Sequence, residues 1–169
     1  MAQDDDLMIF FQAVDTDNSG MINENELQEA LAAGNLHFQK SVVSQMIKLY
    51  DRDHNGSMSY PEFVSLYKFL SKVQESYYKY ERNQNFVELN DVYLALQEAG
   101  YRLDQPAFYT ACQSFDKKKQ GKFRLDDYIS LCIFLQSARN LFGAFDTQRE
   151  GRISLDFNQF VYCAANLRL

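Results

Sequence analysis

Residues 15–26 read DTDNSGMINENE, and residues 51–62 read DRDHNGSMSYPE. Both stretches have aspartate at positions 1 and 3, glycine at position 6 and glutamate at position 12, and position 8 is apolar (Ile22 or Met58). The runs before them place apolar residues at the i, i+3, i+4, i+7 spacing of one helix face. These residues are Leu7, Phe10, Phe11 and Val14 in the first run and Val43, Met46, Ile47 and Tyr50 in the second. The pattern predicts a helix before each loop.

A second helix is predicted at the end of each loop. Asn23 and Ser59 are good N-cap residues, and each is followed three positions later by a glutamate, Glu26 or Glu62. This arrangement is typical of a capping box. A helix, a loop of twelve residues and a second helix together make the EF-hand motif.

The oxygen-bearing residues of both loops have the spacing of calcium ligands, because calcium takes six to eight oxygens from positions 1, 3, 5, 7, 9 and 12 of such a loop. In loop 1 they are Asp15, Asp17, Ser19, the Met21 carbonyl, Asn23 through a water, and bidentate Glu26. In loop 2 they are Asp51, Asp53, Asn55, the Ser57 carbonyl, Ser59 through a water, and Glu62. We predict two Ca²⁺ sites per chain, with dissociation constants on the order of 10⁻⁷–10⁻⁵ M.

Three weaker copies of the motif follow when the apolar eighth position is used as the anchor. Val87, Phe123 and Ile153 place loops at 80–91, 116–127 and 146–157. Each copy lacks ligands: Tyr80 and Arg82 stand at positions 1 and 3 of loop 3, Lys118 at position 3 of loop 4, and Gln148 and Phe157 at positions 3 and 12 of loop 5. We expect hands 3 and 4 to bind no calcium and hand 5 to bind it weakly at most.

The spacing of the five loops predicts the architecture. Successive loops start 36, 29, 36 and 30 residues apart. The longer steps leave room for two helices, with breaks at 34–35 and 100–101, whereas the shorter steps leave room for one shared helix, roughly 60–79 or 125–145. We therefore predict one all-α domain over 1–169, with about eight helices and short β pairings that join loop 1 to loop 2 and loop 3 to loop 4.

Five hands at these steps resemble the penta-EF-hand family over nearly the whole chain. Segments 100–103, 115–116, 126–129 and 132–136 carry the same resemblance, which is greatest to the branch that contains peflin and the programmed-cell-death calcium adaptor. The resemblance implies a dimer through hand 5, whose final helix is apolar at Phe157, Phe160, Val161, Cys163 and Ala164. It leaves open whether the second subunit is identical. The loss of ligands in hand 3 departs from the family, where hands 1 and 3 are the usual calcium-binding pair.

The predicted function is that of a calcium sensor or adaptor that changes conformation to engage a protein or peptide partner. Calcium would pull Glu62 at the start of the first shared helix and uncover apolar side chains along it, namely Phe63, Leu66, Tyr67, Leu70, Val73 and Tyr77. The resemblance implies a proline-rich partner, although the chain has no tryptophan and Val73 stands where the family has one. The alternative is a buffering, structural or regulatory subunit with little conformational change.

Composition restricts the remaining functions. The net charge of −6 argues against nucleic-acid binding. No Ser–His–Asp set, activated cysteine or phosphate loop indicates an enzyme. Without a signal peptide, a long apolar run or a CxxC pair, we expect a cytoplasmic protein. A basic cluster (Lys117, Lys118, Lys119, Lys122 and Arg124) leaves calcium-dependent membrane association open.

Overall fold

The computed structural model describes residues 4–116 and 118–167. Within these ranges the chain forms eight helices and two short strands, and none of these helices is long and apolar enough to cross a membrane. The helices are α1 (Asp4–Val14), α2 (Glu24–Ala33), α3 (Lys40–Tyr50), α4 (Tyr60–Glu81), α5 (Leu89–Glu98), α6 (Gln105–Phe115), α7 (Leu125–Phe145) and α8 (Phe157–Asn166). The strands are β1 (Val87–Glu88) and β2 (Lys122–Phe123). The all-α EF-hand prediction is confirmed.

Both shared helices are present. Helix α4 is the outgoing helix of hand 2 and the incoming helix of hand 3, and it ends two residues later than predicted, at Glu81. The first two positions of predicted loop 3, Tyr80 and Glu81, therefore still belong to α4. Helix α7 joins hand 4 to hand 5 over the predicted range.

The predicted helix breaks occur with one local difference. Gly100 takes a left-handed φ of 86° after α5, as expected for a glycine at a helix end. After α2, Gly34 keeps a negative φ, and Asn35 takes the left-handed conformation with a φ of 62°. Asparagine can do this because its short polar side chain tolerates that region better than other non-glycine residues.

Short backbone pairings join neighbouring loops, as predicted. Ile22 and Met58 form an isolated antiparallel bridge, with each N–H donating to the other's carbonyl at 2.8 Å. Strands β1 and β2 are antiparallel, with Val87 opposite Phe123. All four of these side chains are fully buried, which explains why position 8 is apolar even in loops 3 and 4, which lack calcium ligands.

Helices α4 and α7 connect the two halves of the core. Helix α4 packs against α1, α3, α5 and α7, and α7 also packs against α3 and α6. The α3–α7 contact includes a buried hydrogen bond of 2.8 Å from Gln45 Nε2 to Ser137 Oγ. Both helices of hand 2 therefore touch the helix that leads into hand 5.

Helix α8 differs from the other helices because none of its described residues is buried. Asp156 caps its start, with Gln159 N donating to Asp156 Oδ1 at 2.8 Å. Its large apolar side chains lie in solvent: Phe157 is 78%, Phe160 60% and Tyr162 56% exposed. In the described structure α8 is thus an amphipathic helix whose apolar face is uncovered.

Candidate metal centres

Loop 1 brings together the three carboxylates predicted to bind calcium. One oxygen each from Asp15, Asp17 and Glu26 lies within 4.8 Å of the others. Asp15 and Glu26 are buried, whereas Asp17 is exposed. Ser19 Oγ lies 2.9 Å from the Met21 carbonyl oxygen, so two further predicted ligands are adjacent. This half-buried group of oxygens suits a hard cation such as Ca²⁺.

Loop 2 repeats this arrangement with Asp51, Asp53 and Glu62, whose oxygens also lie within 4.8 Å of one another. Asp51 and Glu62 are the buried members. Asn55 N donates to Asp51 Oδ1 at 3.1 Å and to Asp53 Oδ1 at 3.2 Å, which holds the two aspartates side by side. Two loops of different sequence thus place the same three carboxylate positions together.

The position-12 glutamates are held by the loop and the helix cap. Glu26 Oε1 accepts from Thr16 N at 2.9 Å, and its Oε2 accepts from Asn23 N at 3.0 Å. Glu62 Oε1 accepts from Arg52 N at 2.8 Å, and its Oε2 accepts from Ser59 N at 2.8 Å. Each glutamate is therefore both a cap of the outgoing helix and a member of the carboxylate group. The sequence predicted the caps. It did not predict that the backbone N–H groups of Thr16 and Arg52, at position 2 of each loop, donate to these glutamates.

These hydrogen bonds favour the ionised carboxylates. Burial raises the pKa of Glu26 and of Glu62, but hydrogen bonds from the loop outweigh burial, so the pKa of each lies below the ordinary glutamate value. The pKa of Asp51 is lowered in the same way, by hydrogen bonds from Gly56 and Asn55. Both loops are thus anionic at neutral pH, as a cation site requires.

All five loops have the same turn at positions 4 and 6. Both residues take a left-handed φ, between 51° and 82°, in every loop. The pairs are Asn18 and Gly20, His54 and Gly56, Asn83 and Asn85, Lys119 and Gly121, and Arg149 and Gly151. The loop backbone is therefore kept in the hands that lack calcium ligands.

The carboxylate at position 1 explains how the turn persists. Its Oδ2 accepts the N–H of position 6 at 2.8 Å in loops 1 and 2, at 2.6 Å from Gly121 to Asp116 in loop 4, and at 2.9 Å from Gly151 to Asp146 in loop 5. In loop 3 Glu81, one residue later and one methylene longer, accepts from Asn85 N instead. Asp116 and Asp146 thus have a structural role that does not need a metal.

Loop 3 contains a cation from its own chain. Arg82 Nη2 at position 3 lies 3.1 Å from Asp91 Oδ1 at position 12. In loops 1 and 2 these same positions carry two carboxylates. The sequence identified Arg82 as incompatible with calcium, but its pairing with Asp91 became visible only in the fold.

The basic cluster of loop 4 lies at the surface. Lys118, Lys119, Lys122 and Arg124 are exposed, and Lys117 lies outside the described residues. Lys122 Nζ is 4.4 Å from the centroid of the Phe86 ring in loop 3, and Asp116, Asp126 and Asp127 line the same cavity as Lys118. Acidic and basic groups are therefore mixed here.

An apolar groove lies beside hands 1 and 2. It has a volume of about 200 Å³ and is lined mainly by side chains of α1, α2 and α4: Phe10, Leu27, Leu31, Phe63, Leu66, Tyr67 and Leu70. Four of these belong to the α4 positions predicted to face a partner. Val73 and Tyr77, predicted for the same face, do not line the groove, and like Phe63 and Leu66 they are buried.

The chain is similar to known EF-hand proteins. Residues 4–68 match the family model of an EF-hand domain pair. The chain is 32% identical over 156 residues to sorcin of Schistosoma japonicum, with 91% of each chain covered. It is 30% identical over 164 residues to peflin of Homo sapiens, covering 95% of this chain and 57% of peflin. The chain thus spans less than two thirds of the peflins' length.

A solved structure shows the same likeness. The chain resembles a homolog of programmed cell death 6 protein from Leishmania major Friedlin, with a TM-score of 0.69 and 31% sequence identity. The match covers 96% of this chain and 94% of the other. The likeness therefore extends over all five hands, including those without a complete set of ligands.

Proposed function

This chain belongs to the penta-EF-hand family of calcium-binding proteins, and we propose that it is a calcium sensor and adaptor. It binds one Ca²⁺ in hand 1 and one in hand 2, and the change in those hands lets it engage a protein partner. The observation that carries the proposal is the pair of matching carboxylate groups, each closed by a buried glutamate at position 12. The other predicted oxygens of loops 1 and 2 complete each site.

Glu62 is the residue through which calcium acts on the rest of the molecule. It lies in the first turn of α4, a helix of 22 residues that reaches hand 3. A shift of Glu62 towards a bound ion would change the angle of α4, and α4 lines the apolar groove. The groove is the surface that we assign to the partner. Its aromatic lining suits a proline-rich segment, because such segments dock on aromatic side chains in an extended conformation.

Isothermal titration calorimetry tests the metal assignment. We expect two tight Ca²⁺ sites per chain for the natural sequence and one tight site after Glu62→Gln. The matched control is Asp127→Asn, which changes position 12 of hand 4. Hand 4 is expected to bind no calcium, so this variant should keep two sites. One site, or three or more tight sites, in the natural chain would contradict the assignment.

The buffering alternative has a specific observation in its favour. Glu26 and Glu62 already bridge loop and helix through hydrogen bonds, so calcium could bind with little rearrangement. Binding of an apolar dye distinguishes the two functions. A sensor should bind more dye when calcium is added, and the increase should be lost in the Glu26→Gln/Glu62→Gln variant. Equal dye binding with and without calcium would favour the buffer.

We also propose that the chain dimerises through hand 5. The exposed apolar face of α8 supports this, and so does Ile153, which pairs with no strand among the described residues, unlike Ile22, Val87 and their partners. Light scattering at tens of micromolar should give the mass of a dimer. Phe160→Asp should give a monomer, because it places a charge on the apolar face of α8 that the second subunit would cover. Tyr109→Asp, at an exposed position on α6, should leave the dimer intact. A monomeric natural chain would contradict this proposal.

A further inference from the structure

We infer that hands 3 and 4 form a unit that is held together by cations of the chain itself and therefore keeps its structure without calcium. An EF-hand normally needs an external cation because several carboxylates converge in its loop. In hand 3 the positive charge is supplied by Arg82 and Lys79, and Lys122 of hand 4 joins the two hands through the Phe86 ring of loop 3. This inference does not depend on the proposed sensor function.

Arg82 provides the first link, inside loop 3. Its guanidinium lies 3.1 Å from Asp91, which is in the first turn of α5, so the pair joins the end of α4 to the start of α5. The Asp91 side chain is only 17% exposed, whereas that of Arg82 is 66% exposed. A guanidinium replaces the ion between positions 3 and 12, and the two helices of hand 3 are linked across their loop.

Glu98 provides the second link, at the other end of α5. It accepts hydrogen bonds from Lys79 Nζ at 2.7 and 2.9 Å and from Tyr80 Oη at 2.8 Å. Both donors lie in the last turn of α4. Helix α5 thus contacts α4 near its start through Asp91 and at its end through Glu98, so two polar contacts join the helices of hand 3.

The third link joins hand 3 to hand 4. Lys122 Nζ stacks over the Phe86 ring at 4.4 Å, a cation–π contact between neighbouring loops. Next to it, Leu89 N donates to the Gly121 carbonyl at 2.9 Å, and β1 pairs with β2. All of these contacts are made by protein groups, so the pairing of loops 3 and 4 does not need a metal ion.

Hands 1 and 2 have no equivalent device within the described residues. Their carboxylate groups contain no lysine or arginine, and the ion pair nearest in sequence, Lys40 with Glu24, lies outside both groups. Each loop brings together two buried acidic side chains, Asp15 with Glu26 and Asp51 with Glu62, without an internal cation. We therefore expect calcium removal to loosen hands 1 and 2 while hands 3 and 4 stay ordered.

Amide hydrogen exchange of the full chain tests this inference, with calcium and with a chelator. On chelation, the N–H groups of Ile22 and Met58 should lose protection, and those of Leu89 and Phe123 should not. An equal loss of protection at all four amides would overturn the inference.

A double-mutant cycle tests the role of Arg82 itself, in the chelated protein. Arg82→Gln should speed exchange at Leu89 by about 1.4- to 5-fold, the range expected for an ion pair near the surface, and about 1 M salt should abolish the difference. Asp91→Asn should act similarly, and the double variant should be no faster than either single one. Additive effects, or an effect no larger than that of Arg102→Gln, an exposed arginine in the α5–α6 connection, would overturn the role given to Arg82.

Discussion

The loops of hands 1 and 2 and those of hands 3 and 4 have the same turn but carry different charges. In all four loops positions 4 and 6 are left-handed, and a carboxylate from position 1 or 2 accepts the amide of position 6. Loops 1 and 2 have aspartate at position 3 and glutamate at position 12, whereas loops 3 and 4 have a basic residue at position 3 and aspartate at position 12. Hand 3 has Arg82 paired with Asp91, and hand 4 has Lys118 at position 3. The turn thus depends on positions 1 or 2, 4 and 6, whereas the charge of the loops differs most at position 3.

Chelation should give the largest difference between the two pairs of hands. With a dissociation constant near 1 μM and about 1 mM calcium, each site contributes about 4 kcal/mol to the free energy of unfolding. Removing calcium should then lower the melting temperature by about 8–16 °C for each site that is lost. Scanning calorimetry with calcium and with a chelator measures this. An unchanged melting temperature would show that hands 1 and 2 do not depend on the ion.

Alkaline pH should destabilise hands 3 and 4 more than hands 1 and 2, and by less than calcium removal destabilises hands 1 and 2. Tyr77, Tyr101 and Tyr128 are buried between hands 3 and 4, and burial raises the pKa of Tyr77 to about 12 and that of the other two further. Because the folded state holds these protons more tightly, their contribution is complete below the unfolded pKa of 10 and is lost as the pH rises above it. By pH 11 each loses about 1.4 kcal/mol, or about 4 kcal/mol together.

Among the described residues of α1, α2 and α3, one tyrosine has a raised pKa. Burial raises the pKa of Tyr50 to about 12, so this region should lose about 1.4 kcal/mol at pH 11. Urea unfolding of the calcium-loaded protein at about pH 8 and pH 11, followed by amide exchange, compares the two regions. Equal weakening of both would mean that tyrosine burial does not distinguish them.

The sequence predicted the parts of this comparison that depend on local spacing. Apolar residues at position 8, such as Val87, located even the loops that lack calcium ligands. The short steps between loops predicted the shared helices α4 and α7. Both features could be predicted because they depend on residues close together in the sequence. The pairs Arg82–Asp91 and Lys79–Glu98 could not be predicted, since partners 9 and 19 residues apart meet only when two helices are packed. The same holds for the groove, where α1, α2 and α4 contribute side chains from distant parts of the chain.

Glu62→Gln should weaken calcium binding in hand 2 at least about tenfold, because one charged, bidentate ligand becomes neutral. Hand 1 should change much less, since within the described residues the direct backbone link between loops 1 and 2 is the Ile22–Met58 bridge. Calcium titration monitored by amide chemical shifts separates the two loops. Asp127→Asn is the control, because it changes the same position in hand 4. An equal loss of affinity in both hands would show that loops 1 and 2 bind calcium as one cooperative unit.

Thiol labelling of hands 3 and 4 should respond least to calcium removal. Any exposure of their buried thiols would therefore be easy to detect. Cys112 and Cys132 are buried, and burial raises the pKa of each thiol to about 12, whereas Cys163 is half-buried on α8. Because the thiolate is the reactive form, Cys112 and Cys132 should not react with an aromatic disulfide in the folded protein. Chelation should leave both of them unreacted, and unfolding in urea should make all three thiols of the chain react. If calcium removal alone exposed Cys112 or Cys132, the helices around them, α6 and α7, would depend on calcium bound elsewhere in the chain. The separation of a calcium-dependent pair of hands from a self-neutralised pair would then be wrong.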